Sequence, residues 1–357
     1  MEANMNSSDV SKHGGLPTVG VLGVGSLGKE HARIYGALAS EGLIRFGGVY
    51  DTLPAQAREH AAKHGTRAFD SVDEAIASCD ALSVVTPTVT HAELAMRAMQ
   101  AGRHVLVEKP MTDTAATAEA LVALARERGV VLQVGHVERF NPVFQYLEKA
   151  AMHPRFIECH RLSPYPKRST DIGVVLDLMI HDLDVVLAFV KSPLLSVEAV
   201  GIPVLSRSED IANARLRFAD GCVANLTASR ISPERVRKVR VFSGGEAPSY
   251  VSLDYRAQEG FVYRLAGEGA QESSLLHKLL RGGESAIISE HAGRKIVREP
   301  VPISKEEPLA CEIRHFVECV RERRSPRVSG EQAKAALDVA FEIIRQIGRA
   351  GRPEDAR

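Results

Sequence analysis

From Thr18 onward, short apolar runs alternate with amphipathic segments of helix length, and this alternation limits the fold more than any other feature of the chain. Strands separated by helical stretches pair in parallel, and the resulting sheet is buried on both faces. The pattern predicts strands over residues 18–22, 43–50, 67–69, 81–85, 104–107 and 130–134, with helices near 27–40, 54–64, 72–78, 91–101 and 113–128. Local chemistry agrees. Ser71 with Glu74 forms a capping box, and Gly65, Gly102 and Gly129 each stand where a helix should stop.

Beyond Asn141-Pro142 the pattern changes. Leu216 and Phe218 alternate with Arg215 and Arg217, Asp220-Gly221 supplies a tight turn, and Cys222, Ala224 and Leu226 resume the two-residue period. Val239 and Val241, interleaved with Lys238 and Arg240, describe another half-exposed strand. At 357 residues the chain is close to the length of two ordinary domains. The expected fold class is therefore α/β: an N-terminal Rossmann domain with a parallel sheet over residues 16–141, then an α+β domain with an open, mostly antiparallel sheet over 142–348. Residues 1–15 and 349–357 read as polar tails. Ser329 with Gln332 opens a last helix reaching about Gly348. A half-covered sheet of this kind often meets a second subunit, so a homo-oligomer, dimer or tetramer, is expected.

Composition excludes several classes of function. Lys+Arg and Asp+Glu are each 45, so there is no net positive field to attract a phosphate backbone. Trp is absent and aromatic residues are 5%, which leaves little for base stacking. No nucleic-acid partner is expected. Nor is a membrane partner: the first fifteen residues carry no apolar core of a signal peptide, and the most apolar stretch, 174–190, contains Asp177, His181, Asp182 and Asp184. Five cysteines without a CxxC suit a reduced, cytoplasmic protein. Cys311, His315 and Cys319 recur every four residues, but on a helix the two thiols stand about 12 Å apart, too far to share one zinc ion. No metal is expected.

Three groups of residues carry chemistry. Gly23, Gly25, Ser26, Leu27 and Gly28 belong to a GxGxxG turn between the first strand and first helix, and Asp51 ends the next strand. That context completes a dinucleotide fingerprint, with the pyrophosphate against free N–H groups at the helix start. Asp51 can accept from a ribose diol and repels a 2′-phosphate, favouring NAD over NADP; alternatively it only forms the turn before Pro54. Thr86-Pro87 and Glu108-Lys109-Pro110 end two further strands at the carboxyl edge, where ligands bind in open α/β sheets. Lys109 suits proton exchange with a hydroxyl, although a structural Glu108–Lys109 ion pair is an alternative. Finally, Asp177 and His181 are four apart on a helix, so the carboxylate could orient the imidazole. A buried core histidine, or a metal site with Asp182, would use the same residues.

Together the turn GVGSLGKEHARIY, Thr86-Pro87 with His91, Glu108-Lys109-Pro110 and the Asp177/His181 pair resemble the Gfo/Idh/MocA oxidoreductase family over nearly the whole chain. The resemblance implies a nicotinamide cofactor and hydride transfer at a sugar or cyclitol carbinol. Lys109, Asp177 and His181 become the catalytic trio, and Gly23, Gly25, Ser26, Leu27, Gly28, Asp51, Thr86, Pro87, His91, Glu108 and Lys109 the cofactor side. The family often has Asn after the TP dipeptide; this chain has Thr88. The stretches VGHVERFNP (134–142) and VLDLMIHD (175–182) are similar to the UDP-N-acetylglucosamine 3-dehydrogenase branch. That branch oxidises the 3-hydroxyl of the nucleotide sugar to a ketone for a diamino sugar of the lipid A type.

For a UDP-sugar, Arg161, Lys167 and Arg168 could neutralise the pyrophosphate, Lys109, Asp177 and His181 would meet the sugar, and a solvated basic loop is the plainer alternative. The expected mechanism has His181, held by Asp177, removing the C3 hydroxyl proton while Lys109 hydrogen-bonds the same oxygen. Two other functions fit the same residues: a dehydrogenase of a free sugar or inositol, and a non-catalytic dinucleotide sensor.

Overall fold

The computed structural model describes residues 15–150, 152–165, 172–245, 248–265, 286–291 and 294–350. Lys167 and Arg168 lie outside the described residues, as does nearly all of both expected tails. By internal contacts the chain divides into two units: one takes the described residues up to Glu108, with Ala120–Gln133 and Ile313–Pro326, and the other takes Lys109–Glu119, Val134–Glu312 and the residues from Arg327 on. Lys109 thus opens the second unit.

The first unit carries a parallel five-stranded sheet. Strands β1 (Thr18–Leu22), β2 (Arg45–Tyr50), β3 (Ala81–Val84), β4 (His104–Glu108) and β5 (Leu132–Gly135) lie in the order β2-β1-β3-β4-β5. Between them run α1 (Gly28–Ser40), α2 (Pro54–Lys63), α3 (Val72–Ser78), α4 (Thr88–Gln100) and α5 (Ala115–Arg128). Every residue of β3 is buried, as a strand covered on both faces requires. The Ser71 cap accepts from the Glu74 N–H at 3.1 Å, while the Glu74 carboxylate takes the N–H of Asp70 at 2.8 Å. Two expectations need correction. Residues 67–69 form no strand but a single bridge, Val49 to Ala68. Helix α4 begins at Thr88, three residues early, because Pro87 fixes its entry while Thr88, Val89 and Thr90 are β-branched and hide its start in the sequence.

The second unit is built on a nine-stranded sheet: β6 (Pro154–Leu162), β7 (Leu194–Ile202), β8 (Ile211–Phe218), β9 (Val223–Ser229), β10 (Val236–Ser243), β11 (Ser249–Asp254), β12 (Glu259–Leu265), β13 (Ala286–His291) and β14 (Arg294–Pro300), ordered β13-β14-β12-β11-β10-β6-β9-β8-β7. Its pairs are antiparallel except β6 with β9. Ala212, Ala214, Leu216 and Phe218 of β8 are buried and the residues between them are not, so one face carries the core. On that face pack α6 (Pro142–Lys149), α7 (Ile180–Val190) and a helix over Gly330–Ala350, through Phe144, Leu183, Val186 and Ile343 among others. A turn of π-helix, Val175–Met179, leads directly into α7. No helix among the described residues is long and apolar enough to cross a membrane.

Candidate active site

In the first unit the glycine turn divides its labour among three residues. Gly23 has φ +88°, and a Cβ there would lie 2.6 Å from the Val85 carbonyl oxygen. At Gly28 a Cβ would fall 1.9 Å from the Gly23 carbonyl oxygen, so the helix can start against the turn only without a side chain. At Gly25 a Cβ would meet nothing within 4 Å. Close packing at the outer glycines and open space at the middle one suit a backbone that a pyrophosphate approaches. The start of α1 has no side-chain cap; the N–H of Lys29 donates to the Gly25 carbonyl at 3.1 Å and that of Glu30 to the Leu27 carbonyl at 2.9 Å, so the helix begins directly on the turn.

Asp51 is tied into the same turn. Its Oδ2 accepts from the Val24 N–H and its Oδ1 from the Leu53 N–H, each at 2.9 Å. A carboxylate has further lone pairs for a ribose diol. Gln56, which the sequence did not single out, donates to the Val24 carbonyl at 2.9 Å and closes the loop from α2.

At the ends of β3 and β4 the expected cofactor residues separate into exposed and supporting ones. His91 is buried and donates from Nε2 to the Thr86 carbonyl at 2.8 Å, so it braces the Thr86-Pro87 turn from behind. Glu108 is buried too, and its Oε1 accepts from Nε2 of His31, on α1, at 3.1 Å. Glu108 thus has a partner within the first unit, whereas Lys109 has one within the second. His31 was visible only as part of the quoted GKEHARIY run.

Lys109 pairs within the second unit. Its Nζ donates to the Asp177 carbonyl at 2.7 Å and to Asp177 Oδ1 at 3.2 Å. Both side chains are about four-fifths covered, at 18% and 20% exposure. The expectation that Asp177 orients His181 is corrected here: the carboxylate serves Lys109, and His181 Nδ1 is buried with no hydrogen-bond partner among the described residues. The π-turn supplies the reason. Widening the turn by one residue undoes the four-residue alignment on which an Asp177–His181 pair depends.

His181 instead lies edge-on to the buried His136, with ring centroids 6.2 Å apart and planes at 85°. Burial pushes the His181 imidazole well below the ordinary histidine value, and the charges of Lys109, Arg161, His136 and Arg237 push it further. Both effects favour the neutral imidazole over the charged one.

Arg161 is also corrected. It is 3% exposed, and its Nε and Nη2 grip the two oxygens of Asp182 at 2.9 Å while Nη1 reaches Glu138 Oε1 at 2.9 Å. Burial disfavours its charge, but Asp182 and Glu138 more than compensate and hold it protonated more firmly than a free guanidinium. This arginine is not presented to a pyrophosphate. It binds β6 to α7 and to the turn after β5, where Asn141 also donates to Glu138 at 3.2 Å. Asp182 is consumed in that network, and among the described residues no group of three side chains could hold a metal ion. Cys319 approaches His315 at 3.4 Å on the helix over Pro308–Glu322.

Comparison with known proteins gives these features a context. Residues 18–136 match the family model described as the GFO_IDH_MocA oxidoreductase family, NAD-binding Rossmann fold, and residues 150–245 match the GFO/IDH/MocA C-terminal domain. The chain is similar to UDP-N-acetylglucosamine 3-dehydrogenase of Acidithiobacillus ferrooxidans, 38% identical over 326 residues that cover 91% of this chain and 95% of that protein. It is also similar to scyllo-inositol 2-dehydrogenase (NAD(+)) of Bacillus subtilis, 25% identical, covering 90% and 91%. A crystal form of the Acidithiobacillus enzyme superposes with a TM-score of 0.82 at 35% identity, covering 93% of this chain and 98% of that one. A levoglucosan dehydrogenase in complex with NADH and levoglucosan shares the fold, with a TM-score of 0.77 at 19% identity, covering 93% and 97%.

Proposed function

Because the chain belongs to the Gfo/Idh/MocA oxidoreductase family and takes NAD as its cofactor, we propose that it oxidises the 3-hydroxyl of a UDP-sugar, converting UDP-GlcNAc to UDP-3-keto-GlcNAc. In this reading it is a cytoplasmic homo-oligomer whose ketone product passes to an aminotransferase in a diamino-sugar route of the lipid A type. The similarity to the Acidithiobacillus enzyme supports the substrate. One arrangement supports the chemistry: an ammonium locked by Asp177 in the unit that also carries a shielded, neutral His181.

NAD would be held by the Gly23–Gly28 turn and Asp51, and when bound would supply the hydride acceptor. His181, with Nδ1 enclosed, offers Nε2 to take the proton from the C3 hydroxyl. Lys109 donates to the same oxygen and stabilises the charge that develops there. Asp177 keeps Nζ of Lys109 at a fixed point, so no reorganisation is needed when that charge appears. Lys167 and Arg168 remain candidates for the pyrophosphate.

The test is to incubate the protein with NAD and, separately, UDP-GlcNAc, myo-inositol, scyllo-inositol and free hexoses. NADH absorbance and mass spectrometry of the product are the readouts. A product two mass units lighter than UDP-GlcNAc is expected. Turnover of an inositol or hexose in its place would replace the nucleotide-sugar assignment.

A further inference from the structure

Strand β10 ends in a juxtaposition of like charges. Val239 and Val241 are buried on its helix-covered side, so by the two-residue period of a strand Arg237 stands on that side too. Directly opposite it, across the antiparallel pair, is Arg161. Two guanidiniums in register repel unless something neutralises them. The fold neutralises one. Arg161 has both oxygens of Asp182 and the Oε1 of Glu138.

Among the described residues Arg237 pairs with that same Glu138 oxygen, at 3.6 Å, and its side chain is 52% exposed. Arg235, exposed just before the strand, adds a third positive charge, which acts on Arg237 along with that of Arg161. The position of Arg237 is also close to the chemistry. Its partner Glu138 shares Arg161 with Asp182, the residue after His181, and the charge of Arg237 itself is among those acting on the imidazole.

We propose that Arg237, assisted by Arg235, binds the diphosphate of the nucleotide sugar. This deepens the reading above and rests on it. The diphosphate is attached at C1, two ring bonds from the carbon whose hydroxyl meets His181, so an anion accompanies the sugar into this part of the unit. A planar guanidinium can take two phosphate oxygens at once, and an anion there relieves the repulsion between Arg237 and Arg161. Free sugars and inositols carry no such charge, so Arg237 selects the substrate class.

The experiment compares wild type with Arg237→Gln, Arg237→Lys and Arg235→Gln. Saturating NAD keeps the cofactor's own pyrophosphate seat filled. UDP binding is followed by calorimetry and UDP-GlcNAc oxidation by steady-state kinetics, with thermal unfolding checked for each variant. The expected result is UDP binding weakened by about tenfold or more in R237Q. KM for UDP-GlcNAc should rise in step while kcat changes much less. R237K should recover only part of the loss, and R235Q should show a smaller effect. Equal UDP affinity in wild type and R237Q, or no UDP binding by wild type, overturns the proposal. UDP binding that depends on Arg237 without oxidation of UDP-GlcNAc would leave the diphosphate site standing and bring down the dehydrogenase reading.

Discussion

The ammonium of Lys109 is held at two points of a single residue, 2.7 Å from the Asp177 carbonyl oxygen and 3.2 Å from its carboxylate. The carbonyl belongs to a turn of π-helix and the carboxylate projects from the same residue, so the position of Nζ is fixed by backbone as well as side chain. A donor prepared in this way stabilises developing charge on a substrate oxygen without first having to find its geometry.

Lys109→Met should therefore lower kcat by roughly 10²- to 10⁴-fold, the usual reach of a positioned acid-base group. Asp177→Asn keeps both contact points but loses the charge assistance, and should cost less, about tenfold. Initial rates of NADH formation at saturating UDP-GlcNAc measure both. If the Met variant kept a tenth of wild-type turnover, the lysine would have no part in the chemistry.

The acid limb of the kcat/KM profile should lie well below pH 6.5. His181 is disfavoured as a cation by burial and then by the positive charges around it, so the native protein keeps a neutral base where an ordinary histidine would already be protonated. The same shift affects stability. As pH falls below 6.5 the unfolded chain binds a proton that native His181 refuses, so stability drops with pH until the native group also titrates. Urea midpoints between pH 7 and 5 should be less pH-dependent in His181→Gln. A parallel dependence in the two proteins would mean that the imidazole is solvated.

Arg161→Met should destabilise the protein by about 3–5 kcal/mol, because buried Asp182 would lose the guanidinium that grips both its oxygens and Glu138 would keep only the more distant Arg237, at 3.6 Å. Both carboxylates are under a tenth exposed, so solvent cannot compensate. Equilibrium urea unfolding gives the number. A loss under 1 kcal/mol would show that water or another cation reaches them.

Gly25→Ala should fold as wild type does, since its Cβ meets open space, yet bind NAD about tenfold or more weakly if that space is the seat proposed for the pyrophosphate. Asp51→Ala should weaken NAD binding and relax its preference over NADP, with an added loss from two freed N–H groups, Val24 and Leu53. Calorimetric titration with both dinucleotides checks the pair. Unchanged NAD affinity in the Gly25 variant would move the cofactor off this turn.

Much of the first unit was legible because its signals are short-range. Strand β1 and helix α3 fall on the residues expected of them, and the Ser71 cap and the Gly23–Gly28 turn are local chemistry. The bridge at Ala68 shows the limit: a run of three residues has the composition of a strand but too few ladder bonds to become one. Around the candidate site, residue identity was more legible than role. Lys109, Asp177 and His181 stood out as candidates, while His31, Gln56, His136 and Arg237 became meaningful only through their neighbours.

The sequence alone determined most of the order of elements in the first unit, the glycine turn, and an ammonium, a carboxylate and an imidazole as candidates for chemistry. Periodicity and turn chemistry act over a few residues, and a chain carries them openly. Only the tertiary structure decided the partners. Asp177 binds Lys109, 68 residues away, and Glu108 binds His31, 77 residues away, while Arg161 is closed into the interior by Asp182 and Glu138. A charged side chain pairs with whichever opposite charge the packed fold brings within about 4 Å, and no local pattern encodes that distance.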